Sequence, residues 1–466
     1  MDGILDRGAR GQLAALASGQ ASAEALMRAT LARIRTRNPA VNAIVSLRDE
    51  DALLAEARAA DQGPRKGALH GLPMAIKDLA NVAGLPTSMG SPILAGQVAR
   101  TDDLFVSRLR AAGAIFIGKT NTPEFGLGSH TFNPVHGATG NAFDPGRSAG
   151  GSSGGAAVAL ALGMVALADG SDMMGSLRNP AGWNGVYGFR PSWGLVPDKA
   201  EGETFLHPLA TNGPMARNPE DLALLLGVMA GQEPRRPFTL PGQDFLAGID
   251  TDLTGRRVAW LGDWGGAYAM EDGVLATCEA ALARFEGLGV TVEAIPAPFD
   301  AGKLWQSWLD LRAFANANRL GPLYANPDWR RQLKATAIWE IETGHALTLA
   351  AVQQASLWRS QWYARAAELF ETFDALILPT AQVWPFPLAR EYPTEIAGRA
   401  MDTYHRWMEV VVPASLIGLP ALAVPAGLGA AGFDAAGLPM GLQLIGRHGG
   451  DAGLLQLAQG WHRTAS

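Results

Sequence analysis

From Ala149 to Pro197 the chain reads AGGSSGGAAVALALGMVALADGSDMMGSLRNPAGWNGVYGFRPSWGLVP, and this segment restricts the fold more than any other. It opens on two serines set between paired glycines. It then runs through the apolar stretch Gly154 to Ala168, and a second small-residue loop carries Ser176, 24 residues after Ser152. The apolar stretch is about 15 residues, short of the roughly 20 that a membrane span needs, so it reads as buried structure. The chain has 56 glycines, with a cluster between about 137 and 194, where close backbone approach and unusual dihedrals are expected.

Around this segment the pattern alternates. Leu72–Ile76, Ala114–Ile117, Val165–Ala168, Arg257–Leu261 and Ala375–Leu378 are short apolar runs bounded by Gly, Pro or polar residues, which reads as buried strands. Helical periodicity lies between them, at about Asp103–Ala112, Glu220–Met229 and Gly273–Leu288. The first 60 or so residues are helical in pattern: Ser22 caps a helix that should end before Pro39, and a second runs from about Asp49 to Asp61. Such alternation predicts an α/β fold with a central sheet. Within residues 1–466 the expected parts are a helical segment to about 62, a core at about 63–230, a variable region at about 300–410 and a return to the sheet at about 411–466.

Two familiar motifs are decoys. Gly113-Ala-Ile-Phe-Ile-Gly118-Lys119-Thr120 fits the phosphate-loop expression, but its middle residues are strand-like and a helical pattern precedes it, the reverse of the order a phosphate loop requires. Gly146-Arg-Ser148-Ala-Gly150 fits the nucleophile-elbow expression, yet a turn (NAFDPGR) stands where an apolar strand should, and neither His448 nor His462 has the context of a catalytic base.

The constellation that remains is HGLPMAIKD with Lys77, the serine pair, and Ser176 in GSDMMGSLRNP. It resembles the amidase signature family of serine hydrolases, which implies an α/β fold of a single large domain with a central mixed twisted sheet covered on both faces by helices. GKTNTPEFG at 118–126, GPMARNPEDLALLLGVMAG at 213–231, FDALILPTA at 373–381, and GLPALAVPAG with GLPMGLQLIGR at 418–447 carry the resemblance over most of the chain, in the family's order. The resemblance implies a Ser-Ser-Lys triad: Ser176 the nucleophile, Ser152 the bridging serine after a cis peptide, Lys77 the base and Ser153 a supporting hydroxyl. It also implies an oxyanion hole of backbone amides, which here belong to Met173, Met174, Gly175 and Ser176. The family usually has two glycines before the nucleophile; Met174 replaces one and should narrow the space beside Ser176. Asp172 and Arg178 flank the loop and read as a structural clamp.

Physical chemistry sets conditions on such a triad. A serine hydroxyl attacks only when a base takes its proton. A lysine does so only when neutral, so its pKa of about 10.4 must fall by roughly 3 units, or about 4 kcal/mol, which burial supplies. The apolar run before Lys77 suits burial, and Asp78 should point away from it, as neighbours on a strand do.

The expected activity is hydrolysis of the C–N bond of a linear amide through an acyl-enzyme, with no cofactor and no metal. Carbamate, urea, hydrazide and ester hydrolysis stay open. One rival is the glutaminase subunit of a tRNA-dependent amidotransferase, which usually keeps the Gly-Gly pair; another is a non-catalytic binder on the same fold. Eight of the 13 tryptophans fall between Trp305 and Trp407, which with the two methionines suggests an apolar or aryl-bearing substrate, although core packing explains tryptophans at helical spacing equally well. Net charge is −6 with no basic stripe, so no nucleic-acid partner is expected. The single cysteine, Cys278, reads as a core residue and allows no disulfide within the chain. MDGILDRGARGQ has no charged start followed by an apolar run, so a cytoplasmic enzyme with neither signal peptide nor membrane span is expected, and a homodimer stays open.

Overall fold

The computed structural model describes residues 3–199, 202–430 and 436–464. Among the described residues its strands form two main sheets and two small two-stranded ribbons, Phe132–Asn133 with Gly137–Ala138 and Glu395–Ile396 with Arg399–Ala400. In the first, β1 (Ile44–Val45) runs antiparallel to β3 (Ile115–Thr120), and β2 (Pro73–Lys77) runs parallel to β3. The second has eight strands: β4 (Leu167–Asp172), β5 (Tyr187–Arg190), β6 (Thr211–Ala216), β7 (Arg257–Trp260), β8 (Thr291–Ala294), β9 (Ala375–Pro379), β10 (Ala421–Leu428) and β11 (Pro439–Ile445). Their order is β8-β7-β9-β11-β10-β5-β6-β4. The pairs β8/β7 and β7/β9 are parallel and the others antiparallel, so the sheet is mixed. Helices flank it and the whole is a single α/β domain.

The five expected strands are present, each within a few residues of its predicted bounds. β9 is buried along its whole length, which is why it reads as an unbroken apolar run. The Gly118-Lys119 pair lies inside β3, with Lys119 buried, in strand geometry rather than in a phosphate loop. The apolar stretch after the serine pair becomes the helix Gly154–Ala161 followed by β4. Cys278 is buried in the helix Val274–Glu286.

One expectation needs correcting. The helix capped by Ser22 spans Ala23–Val41 and takes Pro39 into its last turn. Its stop is Asn42, at φ 52° and ψ 48°, whose N–H closes on the Asn38 carbonyl. A left-handed asparagine cap ends this helix, and the proline three residues before it is tolerated.

The edge strand of each sheet faces the other: β2 lies beside β4 with no ladder between them. Into this seam fold the serine-pair loop and the loop Met173–Leu177. Gly182, in the short helix Arg178–Trp183, sits against β11 so closely that a Cβ on Gly441 would meet its Cα at 2.7 Å. Only glycine at that crossing lets the loop carrying Ser176 settle onto the sheet.

Candidate active site

Lys77 is the last residue of β2 and is 1 % exposed. Its Nζ lies 2.8 Å from Ser152 Oγ, 2.8 Å from Ser153 Oγ and 3.1 Å from Ser171 Oγ. No described carboxylate touches its Nζ; Asp78 turns to Ser88 and to Lys119 on the other side of the strand, as alternation requires. Burial pushes the Lys77 pKa down to about 7, while the charges of Asp169 and Asp172 work to raise it. The amine can therefore carry or release a proton near neutrality, the condition for a general base.

The serine pair is fixed by its surroundings. The Gly151–Ser152 peptide is cis. Ser129 Oγ donates to the Gly151 carbonyl and Thr131 Oγ1 to the Gly150 carbonyl at 2.7 Å, while Asn179 Oδ1 accepts from Gly151 N–H at 3.3 Å. Ser148, of the decoy motif, belongs to the same support. It is wholly buried, its hydroxyl meets His130 Nδ1 at 2.7 Å and accepts from Gly150 N–H. The other nitrogen of His130 faces the Leu388 carbonyl, not a carboxylate, so the pair has a strut's geometry and no orienting acid.

Ser176 adjoins the pair through its carbonyl, which accepts from Ser153 N–H at 3.2 Å, and it is 7 % exposed. Among the described residues its hydroxyl makes no hydrogen bond. In the loop before it, Asp172 Oδ1 accepts from Gly175 N–H at 2.9 Å and Oδ2 from Leu177 N–H at 3.1 Å. This corrects the expected set of oxyanion donors: the Gly175 amide is taken by Asp172, while no described residue takes the amides of Met173, Met174 and Ser176. Gly175, at φ 77°, is the position that demands glycine, since a Cβ there would meet Val411 at 2.9 Å; Met174 has no positive φ, so a side chain replaces the family's usual glycine without backbone strain.

Asp172 and Arg178 do form a clamp. Arg178 donates to both Asp172 oxygens at 3.0 Å, and Arg190 donates to the Asp172 carbonyl and approaches Oδ1 at 3.5 Å. Burial alone would raise the Asp172 pKa, but the two guanidiniums hold it well below the usual carboxylate range.

The family model described as amidase matches residues 25–455. The chain belongs to the amidase signature family. It is an amide-hydrolysing enzyme. An acylamidase of Rhodococcus erythropolis is 35% identical over 456 residues, 96% of this chain and 92% of that protein. A glutamyl-tRNA(Gln) amidotransferase subunit of Chloroflexus aurantiacus is 33% identical over 481 residues, 97% of this chain and 95% of its own. The crystal structure of a bacterial aryl acylamidase of the same family superposes with a TM-score of 0.90 at 27% identity, covering 98% of this chain and 96% of that one.

In this amidase the motif-matched residues Lys77, Ser152, Ser153 and Ser176 come together in one seam. Several of their neighbours carry no sequence signal. Ser171 adds a third hydroxyl to Lys77, and Asp169 accepts from Lys77 N–H at 3.0 Å. Gly126 sits so near that a Cβ on it would lie 3.6 Å from Ser152 Oγ, and the preceding Phe125 holds a φ of 53°. Beside the oxyanion loop, Arg312 reaches Met173 Sδ at 3.4 Å and forms a buried cluster with Glu340 at 2.6 Å and the Tyr404 hydroxyl at 2.8 Å. The tryptophans mostly serve the core: Trp305, Trp308, Trp362, Trp384 and Trp407 are buried, and Trp407 stacks on Trp183. Trp329 and Trp339 are exposed. No described helix is long and apolar enough to cross a membrane.

Proposed function

We propose that this amidase hydrolyses a linear amide with an apolar or aryl-bearing acyl or amine part, through an acyl-enzyme on Ser176, with Lys77 as base and Ser152 as relay. The observation that carries the reading is the 2.8 Å contact between Lys77 Nζ and Ser152 Oγ in a buried seam next to Ser176, with the amine poised at about 7.

The steps follow from that contact. Neutral Lys77 takes the Ser152 proton, Ser152 takes the Ser176 proton, and Ser176 Oγ bonds to the substrate carbonyl carbon. The negative charge moves to the carbonyl oxygen, which the amide N–H groups of Met173, Met174 and Ser176 stabilise. The C–N bond then breaks, and the proton on Lys77 returns through Ser152 to the departing amine. Water next attacks the ester carbon, giving its proton to the same relay, which returns it to Ser176 Oγ as the acyl C–O bond breaks and the carboxylic acid is released. The Ser176 hydroxyl has no partner in the described structure; its hydrogen bond to Ser152 is proposed to form as substrate binds, the stage at which catalytic hydrogen bonds commonly tighten.

Support for an apolar or aryl substrate comes from the partly buried Met173 in the loop before Ser176 and from the acylamidase and aryl acylamidase relatives. The substrate-shaping part is proposed to be the helical region at about 300–410, which brings Arg312 and Tyr404 next to Met173. The amidotransferase relative favours a second reading, a glutaminase subunit that works in an assembly.

A panel of acyl anilides, aliphatic amides, amides bearing free carboxylates and glutamine separates the two. Anilides and alkyl amides should turn over fastest, and glutamine hydrolysis that appears only with a partner would favour the second reading. A fluorophosphonate should label Ser176, and Lys77→Ala should slow labelling by at least about 100-fold. Turnover surviving in Ser176→Ala would refute the mechanism.

A further inference from the structure

The seam that holds Lys77 is bridged by a side chain, not by a backbone ladder. Asp169, on the free edge of β4, accepts the Lys77 N–H at 3.0 Å across the gap between the sheets. Asp169 and Lys77 are each 1 % exposed and Lys119 is 0 % exposed. The carboxylate feels the charges of two lysines, Lys119 and Lys77. Lys119 in turn lies 3.7 Å from Asp78, donates to the Ala80 carbonyl and Thr87 Oγ1, and also feels Asp103. On the far side of Lys77 stands Asp172, whose charge Arg178 and Arg190 already neutralise. Lys77 is thus one link in a buried row of alternating charges, Asp78, Lys119, Asp169, Lys77.

We infer that Asp169 is a positioning residue for amide hydrolysis: it seats the end of β2 in the seam, and its charge sets how tightly Lys77 holds a proton. The inference rests on the reading of Lys77 as the base. Desolvation of a lysine in a dry site pushes its pKa down without a natural stop. An amine made too weakly basic no longer draws the proton from Ser152, and one left too basic stays charged. A buried carboxylate on one side supplies the opposing pull, and Asp169 is the nearer candidate in charge terms because Asp172 is shared between two guanidiniums. The carboxyl of Asp169 is itself pushed up by burial to about 6, against the Lys77 N–H and the charges of Lys119 and Lys77, so the two groups titrate as a coupled pair.

Asp169→Asn removes the charge and keeps an oxygen to accept the Lys77 N–H. The acid limb of kcat/KM should move down by about one pH unit, the tenfold loss of proton affinity expected when one neighbouring charge is removed. The pH dependence of fluorophosphonate labelling at Ser176 should move with it, since that readout does not involve KM. Should the asparagine variant fail to fold, Asp169→Thr tests the same point with a smaller neutral acceptor. A role confined to holding the strand would lower activity equally at every pH and leave both limbs in place, and that result would overturn the inference. Lys77→Ala keeps the two readings apart. If Lys77→Ala erases the acid limb while Asp169→Asn leaves it unmoved, only the inference about Asp169 fails. If Lys77→Ala leaves the limb intact, the base assignment fails first.

Discussion

Lys77 has three hydroxyls and a carbonyl around its Nζ and no carboxylate in contact, an arrangement that serves chemistry at the expense of stability. In the unfolded chain its pKa is about 10.4; in the folded protein burial brings it to about 7. Below about 7 the group is charged in both states and the full penalty, roughly 4 kcal/mol, is present. Between those two values only the unfolded chain holds the proton, so stability rises with pH, and above the upper one the difference is gone. Lys77→Met should therefore abolish hydrolysis and stabilise the protein. The gain should be roughly 1–3 kcal/mol at about pH 6.5, after allowing for three hydroxyls that lose a partner, and should shrink to near zero by about pH 10. Urea denaturation at the two pH values checks it; a variant less stable than its parent at both would contradict the penalty. This lysine and Ser152, Ser153 and Ser176 could be picked out in the sequence because each stands in a motif that the family resemblance marks. Asp169 and Ser171 could not: each is one polar residue in a strand, and only the meeting of two sheet edges gives it a partner.

Among the elements, the helix Ala301–Ala325 does the most to connect the variable region to the seam. Its Leu304, Trp305, Trp308 and Leu311 are buried, and from the same helix Arg312 reaches Glu340 in the neighbouring helix Ala335–Ala346. Tyr404 donates to Glu340 at 2.7 Å and accepts from Arg312, and Asn316 donates to the second Glu340 oxygen at 3.1 Å. Arg312→Met would leave Glu340 buried with neutral partners only, so a loss of about 3–5 kcal/mol is expected. Because Arg312 also touches Met173, KM for an acyl anilide should rise more than kcat falls; a stability loss with unchanged KM would detach this cluster from the substrate chamber. The elements differ in how far the sequence betrayed them. β9 is buried along its length and reads as a continuous apolar run, as does the first half of β3, Ile115 to Ile117. β6 reads Thr-Asn-Gly-Pro-Met-Ala and β5 is a four-residue strand of Tyr-Gly-Phe-Arg, so neither shows a strand's alternation. They are held in the sheet by register with β4 and β10, which no local pattern encodes.

Across the whole molecule the two halves of the sheet are tied through one buried carboxylate. Asp172 ends β4, the edge strand at the seam, while Arg190 ends β5 and donates to the Leu419 carbonyl ahead of β10. Arg178 extends the same node to Gln443 in β11, to the Val411 carbonyl and to Ser415. Residues more than 200 positions apart thereby share one charge cluster, and the oxyanion loop hangs from it through Gly175 and Leu177. Asp172→Asn would leave two guanidiniums buried without a carboxylate, so a loss of about 3–5 kcal/mol is expected, together with a large fall in kcat as the loop loses one of its two anchors. The sign with pH follows from the depressed carboxyl: its stabilisation is complete above the unfolded value of about 3.9 and fades as pH falls toward the folded one. The deficit of the variant should thus be constant from about pH 5 upward and narrow only in strong acid. Because the node spans the sheet, the parent should unfold in urea as one transition by tryptophan fluorescence and by far-ultraviolet circular dichroism alike. In Asp172→Asn the two probes should separate if the node is what couples the N-terminal and C-terminal strands; coincident curves at lower urea would place that coupling in the hydrophobic core between them.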